Sequence, residues 1–320
     1  MPDAARIDTH QHLIPPRYRD VLEARGERPG GIDPPTWSRG RALRVMDANG
    51  IATGILSVST PGAWLGEAGE ARRLARYVNE YAAELAGREP DRFGFFATLT
   101  LPDVEGALAE LTYALDELHA DGVVVLANSA GTYLGDPTFE PLLAELDRRD
   151  AVVFVHPGEL PGPTVDGIPA FTADFLLDTT RTALSLMLSG ALERHPRIRF
   201  VLAHAGGFVP YISYRILLTM LQRDDKLHQL GAIVTPEHTI ARHEAMLRRF
   251  YWDTALSASP SALAALLQVS DPTHITFGSD WPFAPAAAVR FMTKQLDRYP
   301  MEAQLRAAID RGNARELLGR

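Results

Sequence analysis

Eight short, mostly apolar runs recur along the chain, and longer stretches with helical patterning separate them. The runs are Ala5–Asp8, Ile51–Val58, Arg92–Leu99, Gly122–Leu126, Ala151–His156, Ile198–His204, Phe250–Asp253 and His274–Asp280. The intervening helices include Ala42–Asn49, stopped by Gly50, then Glu70–Ala86, Val104–His119 and Thr179–His195. Runs rich in Val, Ile and Phe, each followed by a helix, are the pattern of parallel strands buried on both faces in βαβ units. Eight such units favour closure into an α/β (β/α)8 TIM barrel over an open sheet. At 320 residues the chain suits one barrel domain spanning positions 1–320. No internal repeat or low-complexity segment interrupts it. The Gly/Pro-rich stretch Arg25–Trp37 is too short and too early to divide two domains.

Long loops rich in Pro and Gly follow several of the runs: Pro157–Pro169, Thr60–Gly69 and Asn128–Pro137. In a barrel all of them rise from one rim and wall a pocket there. Five groups capable of chemistry lie at or just beyond strand ends on that rim: His10 and His12 after the first strand, His156, His204 and Asp280. Residues two apart on a strand point to the same face with Cα atoms roughly 7 Å apart, so His10 and His12 can both reach a metal on the barrel axis. Imidazole and carboxylate suit Zn²⁺ or Mn²⁺, and three or four protein ligands leave a position open for water or substrate. A single histidine at a strand end more often serves a structural hydrogen bond. Five chemical groups on one rim are harder to explain that way.

Bulk properties exclude several function classes. The formal net charge is −8 (32 basic and 40 acidic residues), with no dense basic block, so there is no electrostatic footprint for nucleic acid. The absence of cysteine excludes disulfides, thiolate metal sites and a cysteine nucleophile. The first residues do not pattern as a signal peptide, and no stretch approaches the roughly 18 apolar residues of a membrane span. A cytoplasmic protein without membrane association is expected.

The string IDTHQH (Ile7–His12) resembles the first-strand motif of the amidohydrolase superfamily. FVHP (Phe154–Pro157), LAHAGG (Leu202–Gly207) and FGSDWPF (Phe277–Phe283) resemble motifs of strands five, six and eight in its decarboxylase-like branch. That branch includes the aminocarboxymuconate-semialdehyde, resorcylate and 5-carboxyvanillate decarboxylases. Pro90–Leu111, Tyr133–Pro137 and Phe175–Pro196 look most like 6-methylsalicylate-decarboxylase-like proteins, and the likeness covers nearly the whole chain. The resemblance implies that His10, His12, His156 and Asp280 bind one divalent metal, Zn first and Mn as the alternative, with no organic cofactor. It places His204 beside the metal-bound water or substrate. It matches Arg215 to an arginine that binds substrate carboxylate in relatives, in some cases across a dimer interface, so a homodimer is expected. A guanidinium fork suits that task. One departure from the semialdehyde decarboxylase is a shorter segment after the first strand, where that enzyme carries an arginine for its acyclic diacid. Trp64, Trp281 and Phe283 lie on rim loops and can stack on an aromatic ring, although simple packing explains them equally well.

The resulting expectation is a metal-dependent, non-oxidative decarboxylase of a salicylate-type aromatic acid, with His204 and Asp280 as catalytic groups and Arg215, Trp281 and Phe283 as substrate contacts. A metal-dependent hydrolase of an ester, lactone, amide or C–C bond uses nearly the same residues and stays open as the alternative. A catalytically silent scaffold is the third reading, and retention of all four metal ligands and His204 argues against it.

Overall fold

A computed structural model describes residues 5–229 and 235–320. Its main sheet has eight strands: β1 (Arg6–His12), β2 (Ile51–Ser57), β3 (Phe93–Thr98), β4 (Gly122–Leu126), β5 (Val152–His156), β6 (Arg199–Leu202), β7 (Tyr251–Asp253) and β8 (Ile275–Thr276). They pair in sequence order, every pair parallel. Parallel bridges Asp8–Phe277 and Gln11–Trp281 join β1 to the segment after β8 and close the barrel. The expected (β/α)8 architecture is therefore present.

The strands are apolar because both of their faces are covered. Ile7, Ile55, Phe96, Val124, Phe154 and Val201 pack inside the barrel, and the C-terminal helix contributes Ala314 and Leu317 to the same cluster. The other face of each strand packs under the surrounding helices, with Leu56, Phe95, Val123, Val153 and Phe200 in that layer. Alternation along each strand thus serves two cores, which is why the runs read as continuously apolar.

Two expected strands end early, and both departures lie at the chemically interesting rim. β6 stops at Leu202 because the next residues turn sharply. His204 (φ 55°), Ala205 (φ 53°), Gly206 (φ 71°) and Gly207 (φ 65°) are all left-handed. A side chain at Gly207 would place its Cβ 2.1 Å from the Leu176 carbonyl oxygen, so the turn requires glycine there. β8 keeps only two paired residues because the following backbone bonds to β1 instead. The Asp280 N–H donates to the His10 carbonyl at 2.8 Å, the Trp281 carbonyl accepts from His12 N–H at 2.7 Å, and Asp280 itself is left-handed (φ 60°). Left-handed non-glycine residues are uncommon and concentrate at functional sites. The expected helix Thr179–His195 is longer at its start and broken near its end: it runs Ala170–Leu188, and Gly190 (φ 78°) separates it from a short turn, Ala191–Arg194.

Candidate metal centre and its cavity

His10, His12, His156 and Asp280 converge at the C-terminal mouth of the barrel, with one ligand atom from each lying within 4.8 Å of the other three. Nε2 of His10 lies 3.2 Å from Nε2 of His12, and Oδ1 of Asp280 is 3.1 Å from His12 Nε2 and 3.4 Å from His10 Nε2. All four residues are buried.

Hydrogen bonds fix which nitrogen of each ring faces the centre. His10 Nδ1 lies 2.8 Å from Asp253 Oδ2, and His156 Nδ1 lies 2.8 Å from the Pro157 carbonyl; His12 Nδ1 lies 3.2 Å from the Ser57 carbonyl and 3.0 Å from the Ser57 hydroxyl, which spends its own proton on the Gln11 carbonyl. Carboxylates and carbonyls only accept, so Nδ1 carries the proton in each ring and the Nε2 lone pair points inward. His204 follows the same rule, its Nδ1–H donating to the Ala255 carbonyl at 3.1 Å. Two imidazole lone pairs facing each other at 3.2 Å repel unless a proton or a metal cation lies between them. Ligand atoms about a tetrahedral ion with bonds of about 2.1 Å sit roughly 3.4 Å apart, so the spacing and the donor set both fit a divalent metal.

Electrostatics point the same way. Burial disfavours charge on His10, yet the Asp253 and Asp280 carboxylates hold its pKa up at about 10. Burial works against the Asp280 carboxylate too, but the adjacent His10 and His12 rings keep it well below the usual range. The centre is thus built to hold positive charge. Burial lowers His12, and burial with the adjacent His12 and His10 takes His156 well below an ordinary histidine. His204 is also lowered, chiefly by burial and then by the nearby His10. Lowered histidines are neutral at neutral pH, the form that offers a lone pair.

A cavity of about 470 Å³ opens over His156, His204 and Asp280. Phe175, Phe283, Leu256 and Ile32 supply apolar wall, and the Phe283 ring meets His12 edge-on at 5.4 Å. No Lys or Arg lines it among the described residues. Arg215 lies elsewhere, exposed on the helix Val209–Gln229. Trp281 is buried in the core and does not line the cavity; its backbone carbonyl, holding His12 N–H, is its link to the centre. Trp64 lines a neighbouring cavity of about 440 Å³ that shares Thr60 with the first.

Three buried carboxylates that sequence reasoning did not single out organise this rim. Asp8 accepts from the N–H groups of His10 (3.1 Å) and Ser279 (3.0 Å), locking β1 to the loop that carries Asp280; burial pushes its pKa up to about 7. Asp253 bonds His10 from β7. Asp178, on the helix Ala170–Leu188, accepts from Gly158 N–H, Asn128 Nδ2 and Tyr133 Oη, each at 2.9 Å. It thereby ties together the loops after β4 and β5. The available signal was only a carboxylate inside or ending an otherwise apolar strand, or an acid on the buried side of a helix.

An eight-stranded parallel barrel with three imidazoles and a carboxylate at its mouth belongs to the class of barrels built around a bound metal. Residues 7–320 match the amidohydrolase family, and the chain belongs to it. It is 36% identical over 324 residues to the 6-methylsalicylic acid decarboxylase of Penicillium expansum, covering 99% of this chain and 97% of that one. With the 6-methylsalicylic acid decarboxylase of Aspergillus aculeatus it shares 40% identity over 294 residues, covering 89% and 87% respectively. The crystal structure of an amidohydrolase II protein superposes with a TM-score of 0.88 at 30% identity, covering 98% of this chain and 100% of that one.

Proposed function

We propose that this protein is a metal-dependent carboxy-lyase, a single catalytic domain that removes the carboxylate of a salicylate-type aromatic acid without oxidation. The observation that carries the reading is an apolar cavity, without a cationic side chain on its walls, opening onto the His10–His12–His156–Asp280 cluster. A carboxylate entering that cavity finds positive charge only at the cluster, while an aromatic ring finds Phe175 and Phe283. The decarboxylases among its relatives support the same chemistry.

His10, His12, His156 and Asp280 hold the metal, Zn²⁺ being the first choice and Mn²⁺ the alternative for this donor set. When bound, the cation supplies Lewis acidity toward the substrate's carboxylate and ring oxygen. Asp280 and His204 both favour their deprotonated forms, so the proton needed at carbon enters with the substrate. As the acid binds, its hydroxyl proton passes to His204 or Asp280. That group delivers it to the ring carbon bearing the carboxylate. The C–C electron pair then returns to the ring, CO₂ departs, and the phenolate takes a proton from water on release. Phe283 packs against the ring.

The test is a panel of hydroxybenzoates beside aryl esters and lactones. We expect CO₂ from 2-hydroxybenzoates carrying an apolar ring substituent and no turnover of the esters. Ester hydrolysis without CO₂ release from any acid overturns the proposal in favour of a hydrolase.

The helix Val209–Gln229 exposes Tyr211 (86%), Tyr214 (79%) and Leu218 (59%) at helical spacing, with Arg215 beside them. We assign this apolar stripe to a homodimer interface, which would also put Arg215 against the partner copy. Tyr214→Glu is expected to halve the mass seen by light scattering; a monomeric parent protein sinks the assignment. A cytoplasmic location agrees with the absence of cysteine, and no helix among the described residues is long and apolar enough to cross a membrane.

A further inference from the structure

We infer that Asp253 is the positioning residue of this site: one carboxylate that sets the metal-binding face of His10 and the orientation of His204 together. The inference rests on the four-ligand reading of the centre and not on the reaction assigned to it.

Asp253 ends β7 and is fully buried. Its Oδ2 accepts from His10 Nδ1–H at 2.8 Å. Its Oδ1 accepts from two backbone amides, His204 N–H at 3.1 Å and Ala255 N–H at 2.8 Å. The Ala255 carbonyl in turn accepts from His204 Nδ1–H at 3.1 Å. One side chain therefore pins both the start of the left-handed turn that carries His204 and the loop that orients its ring. Geometry alone allows a second metal cluster of His10, His204 and Asp253. The hydrogen bonds argue against it, because both oxygens of Asp253 are committed to N–H donors, and the Nδ1 protons of His10 and His204 are spent on Asp253 and on the Ala255 carbonyl.

The consequence for His10 is tautomeric. A carboxylate at Nδ1 demands a proton there, so Nε2 keeps its lone pair for a metal. Asp253→Asn preserves size and leaves an amide oxygen for the His204 and Ala255 N–H groups. It also turns an NH₂ group toward His10 Nδ1. That donor pulls the lone pair to Nδ1 and leaves the proton on Nε2, facing His12. The change is one of proton position and leaves the packing intact.

The experiment compares Zn²⁺ affinity of the parent protein and Asp253→Asn by chelator competition, with circular dichroism to establish that both fold. We expect affinity to fall by about 10- to 100-fold in the variant, the usual effect of losing an outer-shell partner. In the Zn²⁺-loaded parent, the His10 Nδ1 proton should give a downfield resonance that the variant lacks. If the parent binds Zn²⁺ and Asp253→Asn binds it within twofold as tightly, the inference is overturned. If the parent itself takes up no metal, the four-ligand reading fails first, a distinguishable result. Should the variant not fold, the nitrogen-15 spectrum of the Zn²⁺-loaded parent decides: a His10 ring without a proton on Nδ1 rejects the role of Asp253.

Discussion

Replacing His156 with alanine is expected to abolish stoichiometric metal binding and turnover together, while the apo protein still folds. His156 is the last residue of β5, and its ring is fixed by the Nδ1–H bond to the Pro157 carbonyl. It is the only member of the cluster contributed from that side of the barrel; His10, His12 and Asp280 all come from β1 and the loop after β8. Without it the remaining three groups lie on neighbouring segments, and the four-group cluster loses its one member from across the mouth. The loss in metal affinity should exceed about 100-fold, the upper end of what losing an outer-shell partner costs. Stability of the apo protein should change little by comparison. His156 is neutral because burial and the adjacent His12 and His10 disfavour its charge, so its removal relieves crowding among inward lone pairs even as it opens a small void. Metal content by elemental analysis, with a thermal melt of the apo protein, checks both halves. A folded His156→Ala protein that retains one equivalent of metal sinks the proposed centre.

Much of this centre was legible because metal chemistry imposes residue types as well as positions. His10 and His12 share a strand face, His156 ends an apolar run, and Asp280 follows another; each is visible as a chemical group at the C-terminal end of a strand. The barrel was legible for a related reason, since strands covered on both faces must be apolar throughout. Other features left no pattern to read. Asp8, Asp178 and Asp253 act on backbone amides and ring nitrogens brought together by the fold, and nothing about an isolated aspartate announces such partners. β6 and β8 are shorter than their sequence patterns predict because the propensity of the residues favours extension while the His204–Gly207 turn and the bonds from β1 to the Asp280 loop override it. Trp281 has the composition of a ring-stacking residue, but the same bulk fills the core between the loop and the barrel. Arg215 lies on a helix surface, away from the cavity over the metal centre.

His204→Ala is expected to separate binding from chemistry: metal content unchanged, kcat reduced by about 10²- to 10⁴-fold, the usual contribution of a positioned acid or base. His204 lines the cavity beside Asp280, but it lies outside the four-group cluster, and with Nδ1 bonded to the Ala255 carbonyl its Nε2 is the nitrogen left for a substrate. Burial lowers its pKa, so it is a neutral acceptor in the free protein. Asp280 is held ionised by the adjacent His10 and His12 rings, and taking up a proton there would weaken it as a metal ligand. Of the two groups, His204 can accept the substrate's hydroxyl proton without dismantling the metal site. Its Nδ1–H, committed to the Ala255 carbonyl, keeps the incoming proton on the inward nitrogen. Deletion of the imidazole should therefore be felt in kcat at saturating substrate, with metal affinity close to that of the parent. If His204→Ala keeps more than half of the parent kcat, the proton must travel by Asp280 alone. If it loses its metal, His204 belongs among the ligands, and the division between holding the cation and moving the proton is drawn in the wrong place.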